Sequence, residues 1–150
     1  MKLIELPADF ATPFTSNAPE RWLEIAVLYE RRQGENSDPV MSSIKLVAAR
    51  DGEDIRTTSL DVPAKDSYLA GRALCDLLPS DWSEFIMTIN RTGQIRAHYS
   101  DEPFKAIDYV SDHPFHDYFK DKRDHLIELE RRTRHRVAES CSSVIRRRDG

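Results

Sequence analysis

The strongest constraint on the fold is a pair of alternating segments separated by a tight turn. Residues 82–90 and 94–99 alternate apolar with other side chains at a period of two, which is the period of a β-strand. The apolar side consists of Phe85, Met87, Ile89, Ile95, Ala97 and Tyr99. Between the segments, Asn90-Arg-Thr-Gly93 predicts a turn in which Gly93 takes the left-handed position of a bulged hairpin. The sequence therefore predicts an antiparallel hairpin.

Three further segments are predicted as strands of the same sheet. They are residues 19–32, Val40–Arg50 and Glu53–Leu60. The first also fits a helix that starts at Pro19, but its run Ile-Ala-Val-Leu-Tyr and the strands that follow it favour a strand covered on both faces. Asp51-Gly52 predicts a two-residue hairpin turn between the other two. The pattern also allows a short strand at Lys2–Leu6.

Two segments have the periodicity of amphipathic helices. Asp66–Leu78 places two adjacent apolar rows on one face and is ended by Pro79. These rows consist of Leu69, Ala73 and Leu77, and of Ala70, Leu74 and Leu78. The segment from Phe115 to Ile145 fits one long helix or two, with a narrow apolar stripe among many charged residues. Such a helix docks by one edge and leaves most of its surface in water.

Together these elements predict an α+β fold. We expect a mainly antiparallel sheet of four to five strands, with helices packed on one face and a long C-terminal helix. A chain of 150 residues without repeats or low-complexity linkers is interpreted as a single domain. Within it, residues 1–18 are an N-terminal arm, residues 19–102 the core and residues 103–150 a C-terminal helical extension.

Charge is unevenly distributed along the chain. The net charge is −4, but residues 131–150 contain seven arginines and two acidic residues, which gives this segment a net charge of +5. The first 130 residues therefore carry −9. An acidic body favours a basic protein as partner and repels nucleic acid, whereas the arginine-rich end has the opposite preference.

The sequence predicts a cytoplasmic protein. Glu5 and Asp9 interrupt the apolar residues of the N-terminus, so no signal peptide is visible. No apolar stretch approaches the ~18 residues that a membrane span requires, and no membrane partner is expected. Cys75 and Cys141 lie far apart without a CxxC pattern, which indicates two unpaired thiols in a reducing compartment.

No arrangement of residues predicts catalysis. One stretch combines histidines with aspartates, the side chains that often bind metals: Asp112, His113, His116, Asp117, Asp121 and His125. Pro114 separates the first two histidines, however, and no HExxH spacing occurs, so a solvated helix face explains the stretch more simply. Cys141 lies in the apolar stripe of its helix and is interpreted as a packed thiol. The sequence therefore predicts a non-enzymatic protein without cofactor or metal.

Several short motifs resemble those of the YezG-like family of bacterial antitoxins. They are Pro19-Glu-Arg-Trp22, then Leu28-Tyr29, and the tryptophan-led hairpin Trp82–Tyr99 followed by Ser-Asp101-Glu102. The resemblance covers residues 19–102. It implies an immunity protein of a polymorphic, contact-dependent growth-inhibition toxin system. Such a protein binds and neutralises a cognate toxin domain, often a nuclease, by stoichiometric protein–protein contact in the cytoplasm and without a cofactor.

The same resemblance suggests a partner-binding surface of aromatic side chains ringed by acids. Its candidate residues are Trp22, Tyr29, Tyr99, Glu53, Asp54, Asp101 and Glu102, with Trp82 as a further aromatic. For the tryptophans, packing in the core is the competing interpretation. The sequence indicates no particular oligomeric state.

Two other functions stay open. The arginine-rich C-terminal helix could bind nucleic acid through phosphates and act as a regulator, although its arginines alternate with acids and no aromatic residue is interleaved for base stacking. The stretch from His113 to His125 would be the centre of a metal-dependent hydrolase in the third hypothesis.

Overall fold

A computed structural model describes residues 1–33, 39–102 and 113–134. Its centre is a six-stranded, fully antiparallel sheet with the order β1-β6-β5-β2-β3-β4. The strands are β1 Lys2–Leu3, β2 Trp22–Gln33, β3 Pro39–Asp51, β4 Asp54–Ser59, β5 Glu84–Asn90 and β6 Ile95–Ser100. The α+β class and the antiparallel sheet are confirmed, but the predicted count of four to five strands is too low.

The ambiguous segment at residues 19–32 forms β2, and the strand interpretation is confirmed. β2 lies in the interior of the sheet between β3 and β5, with Ala26 opposite both Leu46 and Thr88. A strand with neighbours on both edges and helices on both faces must be apolar along nearly its whole length. This requirement explains the continuous apolar run Ile25–Tyr29, every residue of which is buried.

Both predicted hairpins form, with one change of register. Gly93 has a φ of 92°, its N–H donates to the carbonyl of Asn90 at 3.0 Å, and Asn90 N–H donates to Gln94 at 3.0 Å. The second hairpin has the left-handed residue Gly52, φ 60°, and its last strand pair is Asp51 with Asp54. The two-residue turn is therefore residues 52–53, one position later than predicted.

Face 1 of the sheet is the side to which Ile25, Val27 and Tyr29 of β2 point. It is covered by a 3-10 helix at Ala8–Ala11, by the one-turn helix α1 at Thr12–Thr15 and by α2 at Ala64–Leu77. Phe10, Ala11 and Phe14 are buried in this core, so the predicted N-terminal arm contributes directly to it. The strand at its start is shorter than the predicted Lys2–Leu6 and pairs with β6.

Only part of the predicted apolar face of α2 is buried. Ala70 and Leu74 of the helix and Leu78 just after it face the core, but Leu69 and Leu77 are 52% and 40% exposed. The buried side of α2 is instead completed by small residues, Ser67 and Gly71. A Cβ on Gly71 would lie 3.1 Å from Met41 Cε, so the small residue allows the helix to approach the sheet closely. The contact therefore excludes the outer row of leucines.

Face 2 is the opposite side, to which Ala26 and Leu28 of β2 point. A 3-10 helix at Pro114–Asp117 and the helix α3 at residues 123–134 cover it. Phe115, Phe119, Leu126 and Leu129 pack there against Leu23, Ala26, Leu28, Ile44, Leu46 and Ala48. Helices therefore cover both faces, and the prediction of helices on one face is wrong. The apolar period of the C-terminal segment indicates that one edge of its helix is buried, but it does not indicate which surface that edge contacts.

The C-terminal segment also begins differently from the prediction. The helix expected from Phe115 onwards starts at residue 123, after the 3-10 helix and a turn at residues 118–121. Residues 135–145 of the predicted helix lie outside the described residues, as do Cys141 and the terminal arginines. Cys75 is a half-buried free thiol, with its Sγ 3.8 Å from Met41 Sδ. Within the described ranges, no helix is long and apolar enough to cross a membrane.

Candidate functional site

The predicted partner-binding residues lie at two opposite ends of the sheet. Glu53 and Asp54 are at the tip of the β3–β4 hairpin, at the end where β2 begins with Trp22 opposite Ala49. Tyr99 is near the other end, because β6 finishes at Ser100 opposite Glu84. Asp101 and Glu102 follow directly. The structure therefore groups Tyr99, Asp101 and Glu102, and separates them from Trp22, Glu53 and Asp54. Tyr29 lies in the same row as Tyr99, with Phe85 between them.

The prediction that Tyr29 contacts a partner at the surface is wrong. It is 2% exposed, and its hydroxyl donates to the carbonyl of Ser67 on α2 at 2.9 Å. Burial raises the pKa of this phenol, as expected for a hydroxyl held in a core. Because Tyr29 points to face 1 from an interior strand, α2 covers it completely.

The tryptophans have packing roles. Trp82 is buried in the face 1 core, as the competing interpretation expected, and the Arg31 guanidinium carbon lies 5.4 Å from its ring centroid. Trp22 is half-buried beside the same core, and Arg91 covers its ring at 5.9 Å. The Arg91 side chain also donates to the carbonyls of Glu20 and Trp22, so it fixes the β5–β6 turn against the start of β2.

The acids of the β3–β4 hairpin are exposed but have basic neighbours. Asp51 forms an ion pair with Arg56 at 2.9 Å, and Asp54 lies 4.0 Å from the guanidinium of Arg123. Arg50 donates to the backbone carbonyl of Glu53 at 2.7 Å. Arg56 and Arg123 therefore offset part of the negative charge at this end, whereas the Arg50 guanidinium is also bound by Glu130.

The opposite end of the sheet carries more uncompensated negative charge. We call the group Asp81, Glu84, Asp101 and Glu102 the acidic end. Two cations lie among these residues: Lys2, with its Nζ 2.9 Å from Asp101 Oδ2, and Arg31, whose guanidinium donates to the carbonyls of Ser80 and Trp82 on either side of Asp81. The hydrogen bond with Asp101 raises the pKa of Lys2, and the nearby charge of Asp81 adds to the effect. The same contact lowers the pKa of Asp101.

Tyr99 and the backbone give the acidic end a defined shape. Lys2 Nζ lies 5.9 Å from the Tyr99 ring centroid, so the half-buried ring sits beside the acids. Ser83 Oγ donates to the carbonyls of Ser100 at 3.1 Å and Glu102 at 2.5 Å, which holds the chain that leaves β6. An aromatic surface with fixed acidic neighbours is suited to binding a basic protein.

A cluster of the buried Glu30 with the half-buried Glu84 and His113 lies beside the acidic end. One ligand atom from each lies within 4.8 Å of the others, the spacing of a possible metal site. His113 Nε2 is 2.5 Å from Glu30 Oε1, and its Nδ1 accepts the N–H of Phe115 at 3.0 Å. Because Nδ1 accepts this hydrogen bond, the proton of a neutral ring is on Nε2. Nε2 then donates to Glu30, and this contact joins the C-terminal segment to β2.

The charges in this cluster interact. Burial raises the pKa of Glu84, the neighbouring Glu30 raises it further, and His113 opposes the rise. Of the residues in the predicted metal-binding stretch, His113 belongs to this cluster, whereas Asp112 lies outside the described residues.

A second histidine of the stretch meets a second buried acid of β2. His125 Nε2 lies 3.1 Å from Glu24 Oε2. Glu24 is buried, which raises its pKa, while His125, Lys122 and Arg96 act in the opposite direction. The pair forms part of the wall of a cleft of about 500 Å³ between α3 and strands β5 and β6 on face 2.

Sequence reasoning missed both acids of β2. Glu24 and Glu30 share the parity of Ala26 and Leu28, so they point to face 2. An acidic residue on a strand buried on both faces requires a partner, and histidines in a later segment were candidates for that role. That signal was present in the sequence, but the cover of face 2 had to be known before it could be used.

The described part of the arginine-rich helix is largely ion-paired. Arg131 and Arg132 contact Glu128 at 2.6 and 3.3 Å, and these contacts lower the pKa of Glu128 to about 2. Glu130 accepts two hydrogen bonds from Arg50, at 2.6 and 2.7 Å, which join α3 to β3. Arg134 also contacts Glu130, at 3.1 Å. Arg131, Arg132 and Arg134 are therefore paired with acids of their own helix.

The chain matches no protein-family model and no curated protein. The resemblance to the YezG-like family therefore stays a prediction based on the motifs in the sequence.

Proposed function

We propose that the protein is an immunity protein that neutralises a basic toxin domain in the cytoplasm by binding it stoichiometrically through the acidic end. The observation that carries the proposal is the grouping of Asp81 and Asp101 beside Tyr99, next to Glu84 and Glu102, with Lys2 and Arg31 as the neighbouring cations. A nuclease presents basic residues to phosphate, so its substrate surface is complementary to such a group.

Two features support this choice of surface. Asp81 and Glu102 are exposed, and neither side chain has to break an ion pair with a described cation within 4.0 Å before it meets a partner. The hairpin acids, in contrast, already have Arg56 and Arg123 as neighbours. Electrostatic attraction at exposed acids acts chiefly on the rate of association, so binding should weaken as salt rises.

The test is a pull-down from the lysate of the source organism, with the purified full chain as bait, at low and moderate salt. The acidic-end variant is Asp81→Lys with Glu102→Lys. The matched control is Glu53→Lys with Asp54→Lys, because both double variants raise the net charge by +4 through exposed residues. Thermal unfolding of each bait checks that all three are folded.

We expect the wild-type protein to retain one near-stoichiometric basic protein, whose activity falls when the two are mixed. The acidic-end variant should lose at least tenfold in affinity, and the hairpin variant should retain most of it. Equal losses of affinity in both variants would show that binding depends on net charge and not on the acidic end. A loss confined to the hairpin variant would show that the partner binds at the hairpin. Recovery of nucleic acid in place of a protein would contradict the proposed function.

A further inference from the structure

The cleft on face 2 is lined by charged side chains of the sheet and of the C-terminal segment. Its cations are Arg96 on β6, Lys122 before α3 and Arg132 on α3, and its acids are Glu24 and Asp121. His98 and His125 also contribute to its lining. Arg132 is paired with Glu128, so Arg96 and Lys122 are the lining cations for which the described residues show no ion pair. Two such cations in one cleft attract anions.

The cations converge on one point of the cleft wall. Lys122 and Arg96 both lie close enough to Glu24 to act on its ionisation, although they belong to different elements. The Lys122 ammonium lies 4.1 Å from the ring centroid of Tyr118, a cation–π contact that restricts its position. Glu24 itself is engaged with His125, so its charge is already shared when an anion arrives. The result is a pair of cations with an imidazole beside them on the cleft wall.

The rest of the lining suits a small organic molecule. Thr88, Asn90 and Gln94 form a polar row along the sheet, and Ile86, Tyr118 and Leu129 supply apolar surface. A volume of about 500 Å³ lies within the range of small-ligand sites. Mixed polar and apolar walls beside a group of cations match a molecule that has an anionic end and an uncharged body.

We propose that this cleft binds a small phosphate monoester, with its phosphate between Arg96 and Lys122 beside His125 and its organic part along Thr88, Asn90 and Gln94. Arg96 supplies a planar donor group for two phosphate oxygens, and Lys122 supplies a point charge. This site is separate from the acidic end, which requires neither Arg96 nor Lys122.

The test is calorimetric and NMR titration of the full chain at low salt with three probes: adenosine 5′-monophosphate, inorganic phosphate and adenosine. The monophosphate should bind with one site per chain and shift the ring-proton resonances of His125. Inorganic phosphate should shift the same resonances at higher concentration, and adenosine should bind at least tenfold more weakly. Arg96→Gln and Lys122→Gln should each weaken the monophosphate at least tenfold. Lys65→Gln, on exposed α2 away from the cleft, should leave binding unchanged.

Arg96→Gln is the decisive variant, because Arg96 is exposed and its loss does not disturb a packed contact with Tyr118. Equal affinity for adenosine and its monophosphate would overturn the proposal, as would no saturable binding at millimolar concentration. If a single-stranded oligonucleotide binds far more tightly than the monophosphate and loses affinity steeply as salt rises, the ligand of the cleft is nucleic acid and the proposal is wrong. Loss of phosphate binding leaves the pull-down result unaffected, so the two proposals fail separately.

Discussion

Ionisation of the Glu84 carboxyl is less favourable in the folded protein than in the unfolded chain. Burial and the nearby Glu30 raise its pKa above the usual value of 4.5, so the folded state binds this proton more tightly than the unfolded chain does. The protonated carboxyl of Glu84 therefore contributes to the free energy of unfolding. This contribution is fully present below pH 4.5 and is lost as the pH rises through the pKa of the folded state. The ionised form therefore destabilises the protein at neutral pH.

Glu84→Gln should accordingly stabilise the protein at pH 7 and have little effect near pH 4. The side chain is half-buried, so solvent screens part of the interaction, and we expect a rise in Tm of only ~1–2 °C. Circular dichroism during heating at both pH values measures it. Glu53→Gln, at the exposed hairpin tip, should shift Tm at neither pH. A Glu84→Gln protein less stable at pH 7 would show that the carboxylate makes a favourable contact as an ion.

Single residues divide clearly into those that the sequence could place and those that it could not. Glu53 and Asp54 are exposed, as residues at a hairpin turn should be. Tyr29 was predicted as a partner-binding residue from the family resemblance, although the apolar run around it already predicted a strand covered on both faces, where it is buried. The contacts of Glu24 and Glu30 were missed, because their histidine partners are about 80 to 100 residues away in sequence. Periodicity carries no information over that separation.

At the scale of elements, the β5–β6 hairpin was predicted best because its determinants are local. Gly93 has a φ of 92°, and no atom lies within 4 Å of where its Cβ would be. The expected cost of Gly93→Ala is therefore backbone strain alone, ~1–2 kcal/mol of the free energy of unfolding. Urea denaturation measures this change.

Gly93→Asn is the matched control for this strain. Asparagine tolerates positive φ better than alanine, so it should destabilise the protein less. If alanine and asparagine cost the same, a factor other than the left-handed backbone governs this turn.

The helices show where local patterns are insufficient. The rows of α2 were correctly identified as apolar, but Gly71 and Ser67 decide which row meets the sheet, and small residues give no strong signal of their own. The segment at residues 113–134 has a stripe whose spacing is helical, but its target is face 2, formed by strands at residues 22–51. Which of two sheet faces such a stripe covers depends on the path of the connection, and the sequence pattern does not encode that path.

At the scale of the whole molecule, two cores share one sheet. Alternate residues of β2 belong to the face 1 core through Val27 and to the face 2 core through Leu28. Loss of packing on either face should therefore destabilise the strand that both cores require. We expect the described parts of the chain to unfold in a single cooperative transition.

Leu129→Ala tests this coupling from face 2. Leu129 is buried, and removal of its side chain should cost ~2–5 kcal/mol. In a Trp22→Phe background, fluorescence reports Trp82 in the face 1 core, and circular dichroism reports the whole backbone. The urea concentration at the midpoint of unfolding should fall by the same amount for both signals. Ile127→Ala, at an exposed position of the same helix, should stay within ~0.5 kcal/mol of its parent.

The outcome also decides how the proposed binding surface is held together. Glu84 of the acidic end lies on a strand of the sheet, and its cluster includes His113 from the C-terminal segment. If the two signals coincide, this segment is part of the cooperative unit, and destabilising face 2 should weaken partner binding through loss of folded protein. If backbone signal is lost before Trp82 responds, the segment at residues 113–134 detaches on its own. Partner affinity would then depend on whether His113 is docked on Glu30, and His113→Ala should lower it without lowering the Trp82 transition.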